Sequence, residues 1–300
     1  MKSPRLLAYA QLLRLPNVFT AFADICLAGC AAGYLSDRPG VFVLLLLASG
    51  CFYLGGMVLN DFFDRHEDAE TRPFRPIPSG RVSARVALGL GVVLLILGIS
   101  LTNLAVASLF VMHVSWVVVT LPLAILLYDG WLKRTPLGPL GMGLCRFLNV
   151  ELGLTGIWPD HWSPQTLHLA SVVGVYIVGV TWFARTEETK SQRRQLVLAA
   201  LVMLLAVLGG LALPIHFTDR AAPWYFPYLV AGFLFLIGVP IVRAIRQPDP
   251  KRVQAAVKRC ILGLVVLDAI LATAFVGWPG LLILLLLPPA LWLGKWVYST

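Results

Sequence analysis

The sequence predicts an all-α fold, a polytopic membrane bundle of nine or ten transmembrane helices. Hydrophobic residues make up 58% of the 300 residues and charged residues only 13%, whereas soluble domains carry about 25% charged residues. The mean hydropathy of +0.81 agrees with this class. Apolar stretches close to the roughly 20 residues that a spanning helix needs recur along the whole chain. Residues 1–300 are therefore expected to form one integral-membrane domain surrounded by lipid.

Ten apolar segments are the candidate spans. Pro288 and Pro289 interrupt the last one, so a half-helix lying at the membrane interface is the alternative there. The expected count is therefore nine or ten. In chain order the candidates are 15–35, 41–60, 84–102, 105–127, 136–157, 167–184, 195–214, 224–245, 258–276 and 280–297.

The basic residues fall on one side of this predicted bundle. If the N-terminus is cytoplasmic and the loops alternate, 21 Lys and Arg residues lie on the inner side. Only Arg38 and Arg220 lie outside, and Arg146 lies within a span. This bias follows the positive-inside rule and predicts that the N-terminus and the longer polar loops are cytoplasmic. It explains the net charge of +9 without nucleic acid as a partner.

A first polar cluster follows the second predicted span. Asn60, Asp64 and Asp68 recur every four residues, a spacing that puts them on one face of a helix where like charges repel. A cation between them would remove that repulsion, and oxygen ligands without His or Cys suit Mg²⁺. The pattern predicts a magnesium site of Asn60, Asp64 and Asp68. The alternative is a solvated loop whose charges only fix the membrane topology, but it does not explain the four-residue spacing of these side chains.

Arginines and prolines complete this cluster. Arg72 and Arg75 follow within two helical turns, and guanidinium groups donate paired hydrogen bonds to phosphate. Pro73, Pro76 and Pro78 end the helix. A metal-bridged diphosphate would fit between the carboxylates and the arginines.

The order NDxxDxxxD then RPxRPxPSG over residues 60–80 resembles the first aspartate-rich motif of the UbiA superfamily of intramembrane prenyltransferases. The resemblance implies a helical bundle around a central cavity that opens to the cytoplasm. It implies an Mg²⁺-dependent enzyme that transfers a prenyl group from a prenyl diphosphate to a small or lipidic acceptor, aromatic or hydroxyl, and releases diphosphate. Asp64 and Asp68 would then be catalytic, and Asn17, at the start of the first span, would lie near the substrate.

A second cluster spans residues 128–153. In the superfamily a Tyr followed shortly by Lys-Arg recurs here and the basic residues meet the diphosphate, which implies roles for Tyr128, Lys133 and Arg134. Arg146 and Asn149 lie three residues apart within a predicted span, where polar groups usually line a cavity. We expect them to contact substrate. An internal pair that fixes helix packing is the alternative.

A third cluster, residues 181–194, departs from the superfamily. A second DxxxD motif is normal there, but this stretch has no Asp, and Glu188 is left as a single expected metal ligand. With this departure and the stretches MGLCRFLN and FARTEE, the chain resembles the EboC-like subgroup. The number of Mg²⁺ ions bound, one or two, stays open.

Two other functions compete with transfer. A carrier could bind an isoprenoid or lipid phosphate without catalysis, which the departure in the third cluster favours. A transporter could use Asp24, Asp268 or Glu151 as a proton relay, although the polar clusters gather at one mouth. For Asp24 and Asp268, structural pairing is expected rather than catalysis. Position alone suggests Phe52, Tyr53 and Trp182 as aromatic shields for a prenyl cation.

Overall fold

The computed structural model describes residues 4–109, 116–155, 163–185, 192–216 and 221–297, and within these ranges it contains helices and no strand. The α-helices in chain order are α1 Pro4–Leu12, α2 Val18–Ala32, α3 Tyr34–Asp37, α4 Pro39–Phe63, α5 Arg65–Thr71, α6 Ala84–Ser108, α7 Val117–Gly130, α8 Gly138–Gly153, α9 Pro164–Ala184, α10 Arg193–Gly210, α11 Phe226–Arg246, α12 Pro250–Val276 and α13 Leu287–Val297. Short 3₁₀ helices cover Leu15–Asn17, Leu132–Arg134, Leu213–His216 and Trp278–Leu286.

The predicted membrane bundle is confirmed as a fold class. Eight helical segments in the described residues are long and apolar enough to cross a membrane, and α7 is a shorter apolar helix. The number of spans stays a prediction. Many leucines and valines on α6 and α10 remain exposed on the surface of the bundle, as expected for helices that face lipid.

Two predicted boundaries were wrong, whereas the last predicted segment is borne out as a candidate span, Trp278–Val297. Residues 105–108 belong to α6, so the fourth predicted segment starts too early, and residues 110–115 lie outside the described part of the chain. α12 begins at Pro250, earlier than predicted, because the Asp249 carboxylate accepts a hydrogen bond from the Arg252 amide (3.0 Å) and caps it. The last predicted segment is a 3₁₀ helix followed by α13, which carries Pro288 and Pro289 in its first turn, where proline is tolerated.

Glycines allow the central helices to approach closely. α8 and α9 meet at Gly143 and Gly174, where a Cβ on Gly143 would lie 2.4 Å from the Val178 side chain and 2.7 Å from the Gly174 carbonyl oxygen. α4 and α6 meet in the same way, with Gly91 against the Leu59 side chain. Small residues at such crossings are typical of membrane helix pairs.

Gly143→Ala is expected to destabilise the protein by about 1–3 kcal/mol, because the new methyl group meets backbone that cannot move aside. Gly89→Ala is the matched control, since a Cβ there meets nothing within 4 Å and alanine favours helix. Thermal unfolding in detergent measures both. Equal melting temperatures for the two variants would contradict the close crossing of α8 and α9.

The polar ends of several helices meet at one end of the bundle. α1 and the 3₁₀ helix Leu15–Asn17 contact α13, the α4–α5 junction lies beside the end of α7, and the loop before α6 closes over them. This end is called the polar mouth below. It gathers the residues that carry the candidate chemistry.

Candidate active site

The helix that begins as α4 continues past Asn60, as the four-residue spacing predicted. The Asp64 amide donates to the Asn60 carbonyl (3.0 Å), and the Asp68 amide donates to the Asp64 carbonyl (2.8 Å). Asp64 itself forms the joint between α4 and α5, with φ −86° and ψ −2°. The backbone register is therefore kept, but the side chains divide into two groups.

The first group joins the end of α4 to the end of α7. Asn60 donates through Nδ2 to Asp129 Oδ1 (2.8 Å). One turn further on, Lys133 Nζ donates to Asp64 Oδ2 (2.7 Å). Because both partners are spaced by four residues, the two contacts form parallel rungs, and we call Asn60, Asp64, Asp129 and Lys133 the polar ladder. Arg134 adds a longer bond to Asp64 Oδ1 (3.1 Å) from a half-exposed position.

The second group is an arginine cluster around Asp61 and Asp68. Arg75 Nη1 donates to Asp68 Oδ2 at 2.7 Å and lies 3.4 Å from Asp61 Oδ1. Arg14 Nη2 donates to the same Asp61 oxygen at 2.9 Å. The Asp68 carboxylate therefore has a different cationic partner from Asp64, although the backbone register over both residues is the predicted one. The joint at Asp64 and the long-range partner Arg75 place Asp68 with Asp61 instead. Its role as a metal ligand stays a prediction.

A cleft of about 670 Å³ opens beside the arginine cluster at the polar mouth. Arg81 bridges to Gln11 (2.8 Å), and Gln11 in turn donates to the Val297 carbonyl (3.2 Å), so the first and last described helices meet across it. We call it the mouth cleft. Its lining residues are Gln11, Arg14, Asn17, Asp61, Phe74, Arg75, Pro76, Arg81 and Val297. Asn17 is among these lining residues, and its expected place near the substrate stays a prediction.

A second cavity lies within the bundle, and it is called the inner cavity. The residues that line it include Tyr128, Arg146 and Asn149, which the sequence analysis expected near substrate, and Phe52 and Tyr53. Trp182 is not in this lining and packs against the core that α9 shares with neighbouring helices. Phe52 and Tyr53 therefore lie on the wall of this cavity, and their role as shields of a prenyl cation stays a prediction.

Arg146 and Asn149 share one face of α8 and both bind Asp24 on α2. Arg146 Nη1 donates to Asp24 Oδ2 (3.0 Å), and Asn149 Nδ2 donates to the same oxygen (2.8 Å). Arg146 also donates to Thr20, and its Cζ lies 5.5 Å from the centre of the Tyr53 ring. The structural alternative is met, because both side chains join α8 to α2. Both residues also line the inner cavity, and contact with substrate stays a prediction.

The remaining predicted residues are less informative. Asp24 pairs as predicted, whereas buried Asp268 lies beside Asp24 and forms no ion pair with a described residue. Arg72 is half-buried at the end of α5 and its amide donates to the Asp68 carbonyl. Glu188 lies outside the described residues. Just before it, Arg185 donates to the Thr135 and Pro136 carbonyls and so ties the end of α9 to the loop before α8.

Sequence reasoning missed Asp129 and Arg14, and it gave Asp61, the second residue of the NDxxDxxxD pattern, no role of its own. Asp129 follows Tyr128 directly and sits in the last turn of an apolar helix. An ionisable side chain at such a position is costly to bury and usually functional, so this signal was available. The pairing of Asp61 with Arg14 gave no such signal, because it joins residues 47 positions apart.

The chemistry of the polar ladder suits one kind of ligand. Within the described ranges, no group of three or more His, Cys, Asp or Glu side chains is arranged to hold a metal ion. The ladder offers hard oxygens from one amide and two carboxylates beside Lys133 and Arg134. Mg²⁺ commonly takes one or two carboxylates and completes its shell with substrate phosphates and water. The residues therefore fit a magnesium ion that arrives with a diphosphate.

Comparison with known proteins gives a consistent result. Residues 21–259 match the UbiA prenyltransferase family. Over 132 residues the chain is 33% identical to the digeranylgeranylglyceryl phosphate synthase of Korarchaeum cryptofilum (strain OPF8), and the alignment covers 43% of each chain. The chain spans about half the length of the curated relatives it matches.

Two solved structures have a similar fold. One, described for a digeranylgeranylglyceryl phosphate synthase in membranes, superimposes with a TM-score of 0.67 at 19% identity and covers 91% of this chain and 99% of that chain. The other is a UbiA homologue from Archaeoglobus fulgidus bound to GPP and Mg²⁺, with a TM-score of 0.55 at 14% identity, covering 88% of this chain and 99% of that chain. At these identities the likeness concerns the fold.

Proposed function

The chain belongs to the UbiA prenyltransferase family, and from this premise we propose that it transfers a prenyl group from an isoprenoid diphosphate to an acceptor, with Mg²⁺. The observation that carries the proposal is the polar ladder. It places the oxygens of Asn60 and Asp64 beside the ammonium group of Lys133, next to a cavity with aromatic walls. The similar Archaeoglobus fulgidus protein binds GPP and Mg²⁺, which supports the same ligand pair here.

In this proposal Asn60 and Asp64 hold Mg²⁺, which when bound would neutralise the diphosphate as the carbon–oxygen bond breaks. Lys133 and Arg134 now neutralise Asp64. A bound diphosphate would give both cations a second anionic partner, and Arg72 lies at the end of the same helix. Fixed cations at a leaving group stabilise the charge that develops there, which is usually a large part of catalysis.

The inner cavity would receive the prenyl carbon that reacts. Phe52, Tyr53 and Tyr128 line it, and aromatic faces stabilise a nearby cation by roughly 0.5–2 kcal/mol each. The buried anchor on Asp24 would hold Arg146 in place on the same wall. The rest of the isoprenoid chain would lie among apolar helices, which is a physical reason for such a reaction to take place within a membrane.

The mouth cleft favours an acceptor that carries a phosphate group. Arg14, Arg75 and Arg81 line it, against one carboxylate, Asp61. The similar synthases are named for a product in which glyceryl phosphate carries two geranylgeranyl groups. We therefore favour a hydroxyl acceptor on a lipid phosphate over an aromatic acceptor. The excess of Lys and Arg on one side of the bundle supports a cytoplasmic mouth.

Arg81→Ala is expected to raise the KM for geranylgeranylglyceryl phosphate about tenfold, since a hydrogen bond to a charged group contributes about 1.5–3 kcal/mol. The KM for geranylgeranyl diphosphate should stay unchanged. Arg85→Ala is the matched control, because Arg85 is exposed at the start of α6 and does not line the cleft. Steady-state kinetics in nanodiscs with both substrates varied gives both constants. An unchanged acceptor KM in Arg81→Ala would remove the cleft from acceptor binding.

A carrier that binds the donor without transfer is the second candidate function. The absence of Asp from residues 181–194 favours it, because the superfamily resembled here normally has a second acidic motif there. The two functions differ in diphosphate release. Transfer predicts one diphosphate released for each acceptor prenylated, measured by a coupled phosphate assay beside mass spectrometry of the lipid. Donor binding without release in the presence of lipid-phosphate and aromatic acceptors would favour the carrier.

A further inference from the structure

Asp129 is the buried acid of the polar mouth that the proposed function does not yet use. It lies in the last turn of α7 and is only 2% exposed. Its Oδ1 accepts the bond from Asn60. Its Oδ2 accepts no hydrogen bond from the part of the chain that the structure describes, and the residue lines the inner cavity.

Three other aspartates of the polar mouth each have a cationic partner. Asp64 pairs with Lys133 and Arg134, and Asp61 and Asp68 pair with the arginine cluster. Asp129 forms no ion pair with the residues described, and its bond from Asn60 is to a neutral amide. Burying a carboxylate without a cationic partner costs free energy of folding. The burial of Asp129 therefore needs an explanation other than stability.

The contacts of the polar ladder show which groups lie near the Asp129 carboxylate. Asn60 and Asp64 are one helical turn apart, as are Asp129 and Lys133, and the cross-contacts join 60 to 129 and 64 to 133. Asp129 therefore contacts Asn60 directly and lies one helical turn before Lys133, the partner of Asp64. Because a carboxylate only accepts hydrogen bonds, Asn60 must turn its amide nitrogen toward Asp129. Its own oxygen is then free to act as a ligand.

We propose that Asp129 is a direct ligand of the diphosphate-bound Mg²⁺, so that α7 supplies a carboxylate that residues 181–194 do not. The inference rests on the proposed function, because it assumes that a metal–diphosphate complex occupies the ladder. It identifies a ligand outside the acidic motif at residues 60–68. It also explains why an acid is buried at the cavity wall next to Tyr128.

The test is metal affinity rather than turnover. Mn²⁺ replaces Mg²⁺, and the unreactive donor analogue geranyl S-thiolodiphosphate is kept saturating while free Mn²⁺ is followed by electron paramagnetic resonance. Asp129→Asn keeps the size of the side chain and is expected to raise the Kd for Mn²⁺ at least tenfold. Asp129→Glu keeps a carboxylate and should lose much less. Glu67→Gln, at an exposed acid on α5, should match the wild type.

The outcomes separate this inference from the proposed function. If Asp64→Asn loses Mn²⁺ affinity but Asp129→Asn does not, the metal–diphosphate site stands and Asp129 is not a ligand. If neither variant changes the affinity, the site itself is wrong. If Asp129→Asn fails to fold, the bound Mn²⁺ spectrum of Asp129→Glu decides. A changed zero-field splitting supports direct ligation, and a spectrum identical to the wild type overturns it.

Discussion

Asp64→Asn is expected to lower the rate of prenyl transfer at least 100-fold. The substitution removes the negative charge that pairs with Lys133 and Arg134 and that would hold the metal against the diphosphate. Losing one preorganised electrostatic group at a developing charge typically costs a factor of 100–1000 in kcat. The rate is measured by liquid chromatography of radiolabelled lipid product at saturating donor and acceptor.

Two measurements distinguish a loss of catalysis in Asp64→Asn from a loss of folding. The melting temperature of Asp64→Asn should fall only modestly, because the asparagine oxygen can still accept a hydrogen bond from Lys133 Nζ, the donor to Asp64. Glu67→Gln changes an exposed acid three residues away and should keep full activity. A folded Asp64→Asn variant with near-normal turnover would contradict the assigned role of Asp64.

Asp24→Ala is expected to destabilise the protein by about 3–5 kcal/mol. Asp24 is fully buried and accepts hydrogen bonds from Arg146 and Asn149. Without it the guanidinium group stays in the interior with no counter-charge, which is the costly way to break a buried pair. Urea unfolding in a mild detergent, followed by tryptophan fluorescence, gives the change in free energy of unfolding.

Two further variants distinguish the loss of one charge of the Asp24–Arg146 pair from the loss of both charges and from the loss of an exposed pair. Asp24→Leu combined with Arg146→Met removes both charges and should be less destabilised than Asp24→Ala, since no unpaired ion remains. Asp249→Ala removes an exposed pair with Arg252 and a helix cap, which together cost about 1 kcal/mol. If Asp24→Ala unfolds as late as Asp249→Ala, the interior pair is not a fixed part of the bundle.

Hydropathy and helical spacing were sufficient for much of this fold. Long apolar segments predict the spans because a membrane leaves the backbone few alternatives to helix. The spacing of Arg146 and Asn149 placed both on one face of α8, and the structure shows both bound to Asp24. The early start of α12 was missed because it depends on the cap at Asp249, which lies before the apolar segment.

For the candidate site, the sequence predicted the position of the backbone but not the directions of the side chains. The spacing of Asn60, Asp64 and Asp68 gave the correct helical register. It did not give the directions of the side chains, because a small departure at the joint between α4 and α5 and partners distant in sequence decide them. The link from Asn60 to Asp129 spans 69 positions. Local spacing carries no information about such a contact.

If this protein holds a prenyl diphosphate through a magnesium ion at the polar ladder, donor binding must depend on both the metal and Asp64. Equilibrium binding of radiolabelled geranyl diphosphate to purified protein, with Mg²⁺ or with EDTA, measures this dependence. We expect binding in the wild type that requires Mg²⁺ and is lost in Asp64→Asn, while Glu67→Gln binds normally. Binding that is equally strong in EDTA and in Asp64→Asn would show that the ladder is not a metal–diphosphate site.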